Sequence, residues 1–158
     1  MKAKPVRRIV CVDENGKSKA IEDRPAPDVR TDPARPGYFS TLIWSTDSTP
    51  ARIDRANEQV RLPSLLTPPP GGSLCRIVTL PPDRASRDRA GSPHPDTQKT
   101  RTLDFCLVLE GEITLVLDTG EVQLKRGDTV VQRGTRHAWS NRSDQPCVVA
   151  ISSHDATY

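Results

Sequence analysis

Between Thr100 and Ser153, short runs of apolar and β-branched residues alternate with turn residues at roughly 8–12 residue intervals, the spacing of a β-sandwich or barrel. The runs are TRTLDFCLVL, ITLVLD, EVQLK, TVVQ, RGTRHAWSN and PCVVAISS, and they are parted by EGE, TG, RGD and RSDQ. Nothing in the stretch sustains a helical period. No apolar run approaches the roughly 18 residues of a membrane-spanning helix. An all-β chain is therefore expected, folded as a sandwich or a barrel.

The N-terminal part carries weaker signals of the same kind. RRIVCVD and SKAIED flank Asn15-Gly16, a pair that tolerates positive φ at both turn positions, so a hairpin is expected there. YFSTLIWSTD reads as a strand with Phe39, Thr41 and Ile43 on one face and Ser40, Leu42 and Trp44 on the other. RIDRANEQV suits a short helical turn, and Pro68 to Gly72 ends whatever precedes SLCRIVTLPPD. Residues 83–97 are polar and turn-rich and read as a mobile loop. Two units are expected: a hairpin arm over 1–61 that packs on the barrel or on a dimer partner, and the barrel over 62–158.

Charge and cysteine usage narrow the function classes. The net charge of +3 comes from 23 basic and 20 acidic residues mixed along the chain, with no basic stripe interleaved with aromatics, so nucleic acid is not an expected partner. Cys11, Cys75, Cys106 and Cys147 have no CxxC spacing, which points to free thiols in a reducing compartment. MKAKPVRRIV is basic without an apolar core, so no secretory signal is expected and the default is a soluble cytoplasmic protein.

The stretch GDTVVQRGTRHAWSN carries the sharpest motif. Gly127-Asp128 opens it, Gly134 makes a turn, His137 follows, and Asn141 sits four residues beyond. This is similar to the second motif of the cupin superfamily, and Gln98 to Asn141 as a whole resembles small single-domain cupins that accompany secondary-metabolite pathways. The resemblance implies a jelly-roll β-barrel with an extended N-terminal strand arm, an inward-facing His137, a pocket for a small molecule, and a homodimer. It also implies a first motif, His-x-His followed by a glutamate and then a glycine seven residues on. Counting back from Gly111 puts Asp104 in the glutamate place and Thr100 and Gln98 in the histidine places.

That departure decides the expected chemistry. An iron, manganese or zinc site needs about three protein ligands, and only His137 and Asp104 remain as candidate metal ligands. His94 lies in the expected loop and His154 near the C-terminus. No cofactor is therefore expected. If Asp104 faces inward, period-two alternation brings Gln98, Thr100 and Cys106 with it, while Leu103, Phe105, Leu107 and Leu109 take the opposite face. His137 and Trp139 share a face, and Trp44 and Arg76 complete the candidate substrate contacts. His137 and Asp104 are the candidate acid–base pair, suited to dehydration, isomerisation or ring closure of a polyketide-like or aromatic metabolite. The alternatives are a metal-dependent oxidoreductase of the dioxygenase kind and a cupin that binds a metabolite without turning it over.

Overall fold

The structure is a computed structural model that describes residues 2–53, 66–84 and 93–158. The expected boundary at 61/62 and most of the expected helical turn lie outside these residues. The described chain forms strands and no helix: β1 (Arg7–Glu14), β2 (Lys17–Pro25), β3 (Val29–Thr31), β4 (Phe39–Thr46), β5 (Ser73–Leu80), β6 (Thr102–Glu110), β7 (Glu112–Leu117), β8 (Gly120–Lys125), β9 (Thr129–Arg133), β10 (His137–Ser140) and β11 (Cys147–Asp155). Among the described residues, no helix is long and apolar enough to cross a membrane.

All pairings are antiparallel. A six-stranded sheet runs β3-β4-β5-β11-β6-β9, a three-stranded sheet runs β10-β7-β8, and β1 and β2 pair only with each other. The core lies between the two larger sheets. Val78, Val108, Val149 and Ile151 from one meet Ile113, Leu115, Leu124 and Trp139 from the other. β6 shows the alternation that builds this core. Thr102, Asp104, Cys106 and Val108 are buried, whereas Phe105 and Leu107 on the other face are 50% and 38% exposed.

Turn chemistry fixes the connections. Asn15 and Gly16 have φ of 54° and 76°, the double positive φ of a tight hairpin turn. At the β6–β7 turn Gly111 has φ 78°, and a Cβ there would stand 2.8 Å from the carbonyl oxygen of Pro146, so backbone strain and lack of space both require glycine.

The hairpin β1–β2 is tied to the barrel by one buried cation. Arg8 is 4% exposed, donates Nε to Glu22 Oε2 at 2.7 Å and NH1 to the Ile43 carbonyl at 3.2 Å. Burial alone would raise the Glu22 carboxyl, but hydrogen bonds from Arg24 and Arg8 outweigh it and hold its pKa below the ordinary carboxylate value. β3 and β4, by contrast, are strands of the barrel sheet itself.

The four thiols span three degrees of burial, with the half-buried Cys75 between the extremes. All four are free, with Cys11 exposed and Cys106 and Cys147 buried. Burial pushes the Cys106 thiol up to about 12 and that of Cys147 up to about 11. Both buried thiols stay neutral at pH 8, where a disulfide reagent such as DTNB should modify Cys11 promptly and reach Cys106 and Cys147 only after denaturation. Prompt reaction of either buried thiol in the native chain would contradict this assignment. The sign of the pH dependence follows. Folded-state values lie above unfolded ones, so the stabilisation is complete below about pH 9 and is lost as pH rises toward 11–12.

Candidate functional site

His137 opens β10 just after the turn at Gly134, whose φ is 64°. Its main chain exchanges two hydrogen bonds with Gln98, each 2.9 Å. The ring is 4% exposed, and its Nδ1 lies 2.8 Å from the Thr135 carbonyl. A carbonyl only accepts, so Nδ1 carries the hydrogen and the neutral ring keeps its lone pair on Nε2. No hydrogen bond occupies Nε2 among the described residues. Trp139 stands edge-on to the imidazole with ring centroids 6.2 Å apart. The same Thr135 donates its hydroxyl to Gln132 Oε1, so the residue that orients the imidazole is itself held by β9.

Asp104 is 7% exposed and lies between Gln132 on β9 and Ser153 on β11 in the cross-strand register. Its Oδ1 is buried without a hydrogen-bond partner. Buried carboxylate oxygens are normally satisfied, so this one is available to a ligand. No hydrogen bond joins Asp104 to His137, and each keeps an open polar atom. One row along, the register reads Leu42, Arg76, Ile151, Cys106 and Val130. The Cys106 thiol owes its raised value first to burial and then to the Asp104 charge, with Arg76 acting the other way. Asp104, Cys106 and Arg76 therefore share one interior.

Several expected contacts lie elsewhere. Trp44 is displaced by a β-bulge between Leu42 and Trp44. Leu42 pairs with Arg76, but Trp44 pairs with Cys75 on the other face and is 38% exposed. Strict alternation cannot anticipate that extra residue. The Gln98 side chain is exposed, and the residue serves His137 through its backbone. Thr100 is half-buried and its hydroxyl is engaged with Thr102 at 2.8 Å. A cavity of about 160 Å³ is lined by Arg30, Ser40, Leu42, Leu66 and Arg76 among others, and neither Asp104 nor His137 lines it.

His94, expected in a mobile loop, is instead 5% exposed. Its Nε2 lies 3.0 Å from Asp83 Oδ2, which also accepts the Ser140 hydroxyl at 2.7 Å. Arg35 stands 3.6 Å from the other Asp83 oxygen and 2.9 Å from Asp96. Asn141 is fully buried. Its amide donates to the carbonyls of Leu80 and Gln145 at 2.9 and 2.8 Å, and its Oδ1 accepts from Ser143. Asn141 thus pins the β10–β11 connection. The sequence reading missed the roles of Asp83, Gln132 and Ser153. Parity with Asp104 along the paired strands was the available signal for the last two.

The metal implied by the resemblance does not fit this donor set. Among the described residues no group of three or more His, Cys, Asp or Glu side chains is placed to hold an ion. His137 offers Nε2 and Asp104 a carboxylate, but the Cys106 thiol holds its proton at neutral pH.

Fold and site together define an antiparallel jelly-roll barrel whose interior carries a sparse set of polar side chains. The chain resembles the cupin superfamily: the family model Cupin_2, described as Cupin domain, matches residues 77–153. It is 43% identical over 108 residues to the phomopsin biosynthesis cluster protein C' of Diaporthe leptostromiformis, covering 65% of this chain and 52% of that protein. It is 31% identical over 107 residues to the cupin-domain-containing oxidoreductase virC of Hypocrea virens, covering 65% and 50%. The chain thus spans about half the length of these curated relatives. Among solved structures, the Cupin 2 conserved barrel domain protein of Salinispora arenicola superposes with a TM-score of 0.53 at 18% identity, covering 87% of this chain and 92% of that one. That likeness concerns the fold.

Proposed function

We propose that the chain is a small-molecule enzyme of secondary metabolism. It dehydrates, isomerises or cyclises an oxygenated, polyketide-like or aromatic metabolite by acid–base chemistry without a metal. The observation that carries this reading is the pair of open polar atoms on buried side chains, Nε2 of His137 and Oδ1 of Asp104. The imidazole takes a proton from the carbon beside a carbonyl. The C–H electron pair becomes the new double bond, and the proton passes to the departing hydroxyl, which leaves as water. The Asp104 charge stabilises the imidazolium formed in between, and Trp139 walls the ring on one side. The relatives encoded in biosynthetic clusters support the pathway class. The relatives named as oxidoreductases favour a second reading, a redox reaction. Metabolite profiling of a strain carrying His137→Ala separates them. Accumulation of a hydrated or unrearranged precursor supports acid–base chemistry, whereas accumulation of a reduced precursor supports the oxidoreductase.

The same proposal includes a homodimer and a cytoplasmic location. Phe105 and Val131 are direct cross-strand partners on the outer face of the large sheet, 50% and 60% exposed, with Leu107 beside them. An exposed apolar face of this kind suits burial against the same face of a second copy about a two-fold axis. Light scattering at micromolar protein should return twice the chain mass, and Phe105→Glu should return the single-chain mass. A wild-type monomer would overturn it.

A further inference from the structure

Arg76 is left unused by the acid–base chemistry. It stands on the inner face of β5, and its Nε is buried with no hydrogen-bond partner among the described residues. A buried guanidinium donor without an acceptor is costly, and such a donor is normally answered by a partner. The cavity of about 160 Å³ lies beside it. β3–β4 pairing sets Arg30 opposite Ser40, and β4–β5 pairing sets Leu42 opposite Arg76, so two guanidinium groups and a buried serine stand on adjacent rows around one apolar wall. Asp28 contributes the cavity's acidic member, which leaves a balance of one positive charge.

We infer that this cavity is a carboxylate-binding subsite that takes the acidic end of the metabolite on which the proposed acid–base pair acts, and the substrate assignment rests on that proposal. Guanidinium forks match the planar geometry of a carboxylate. Leu42, Leu66 and Val29 receive an apolar or aromatic body, and Asp28 disfavours a dianion such as a phosphate ester. The volume is below the roughly 300–1,000 Å³ of pockets that enclose a drug-sized ligand, so it holds one end of a larger molecule or a small acid. Through Ile151, Arg76 shares a cross-strand row with Cys106, and Asp104 lies on the same face of β6, so the subsite adjoins the interior that holds the carboxylate of the proposed pair.

Isothermal titration of the purified chain with benzoate, benzamide and phenyl phosphate tests the assignment. Benzoate should bind at least about tenfold more tightly than the neutral amide or the phosphate ester, Arg76→Gln should weaken it by about tenfold or more, and Arg76→Lys should restore part of the loss. If Arg76→Gln does not fold, Arg30→Gln on the short edge strand carries the same expectation. No benzoate binding, equal binding of acid and amide, tighter binding of the phosphate ester, or unchanged affinity in the folded arginine variant would each overturn the subsite. His137→Ala keeps benzoate binding under this assignment. A subsite that fails while His137→Ala abolishes turnover leaves the acid–base proposal standing, and intact benzoate binding with undiminished turnover in His137→Ala does the reverse.

Discussion

His137→Ala should reduce kcat/KM on the cognate metabolite by about 10²–10⁴-fold while the chain remains folded, the usual loss when a positioned proton-transfer group is removed. The ring is buried and stands edge-on to Trp139. Its backbone bonds to Gln98 survive the substitution, and the one ring hydrogen bond is to the Thr135 carbonyl. Asp104→Asn is the companion experiment. Asparagine preserves the volume between Gln132 and Ser153 but removes the charge that stabilises the imidazolium. Because Asp104 Oδ1 is buried without a partner, a neutral replacement should melt no lower than the wild type even as turnover falls. Loss of activity together with retained or increased thermal stability is the expected signature. Wild-type rates in both folded variants would remove the pair from the mechanism.

Asp83→Ala should be the most damaging single change to stability, lowering the free energy of unfolding by about 3–5 kcal/mol in urea denaturation, the range for removing one partner of a buried ionic network. Asp83 is 3% exposed by side chain. One carboxylate answers His94, Ser140 and Arg35, and its backbone NH donates to the Asn141 carbonyl at 2.7 Å. Removing it leaves a hydroxyl and an imidazole without their acceptor and takes from the buried Arg35 one of its two carboxylates, Asp96 at 2.9 Å being the other. Ser140→Ala removes only a donor to that carboxylate and should cost about 1 kcal/mol. Similar losses for the two variants would mean that Asp83 is not the hub.

How much of this was legible in the sequence differs by element. The strands from Thr102 onward were, because alternation and glycine turns are local signals, and β6 buries the side expected of it. The hairpin at Asn15-Gly16 was legible for the same reason. Trp44 was misplaced because a bulge is a property of a strand pair and leaves no trace in one strand's own pattern. Gln98 was assigned by motif spacing to a ligand position, yet an exposed amide beside a polar loop gains more from water than from the interior. His94 was read from the composition around it, but burial depends on Asp83 and Arg35, which lie 11 and 59 positions away in the chain. The cavity beside Arg76 needed β3, and a three-residue edge strand carries too little pattern to be found.

The Thr135 carbonyl that fixes the imidazole belongs to the main chain, and every amino acid brings that group with it. No substitution at position 135 deletes the acceptor, so the choice of reactive nitrogen is insulated from point mutation. Asp104 has no comparable guarantee: its open oxygen is held by nothing and its identity alone sets its charge. Diversification of such a barrel would therefore proceed around a fixed base and an exchangeable counterpart, with new reactions arising by changes at position 104 and its neighbours on β9 and β11 while His137 stays in place.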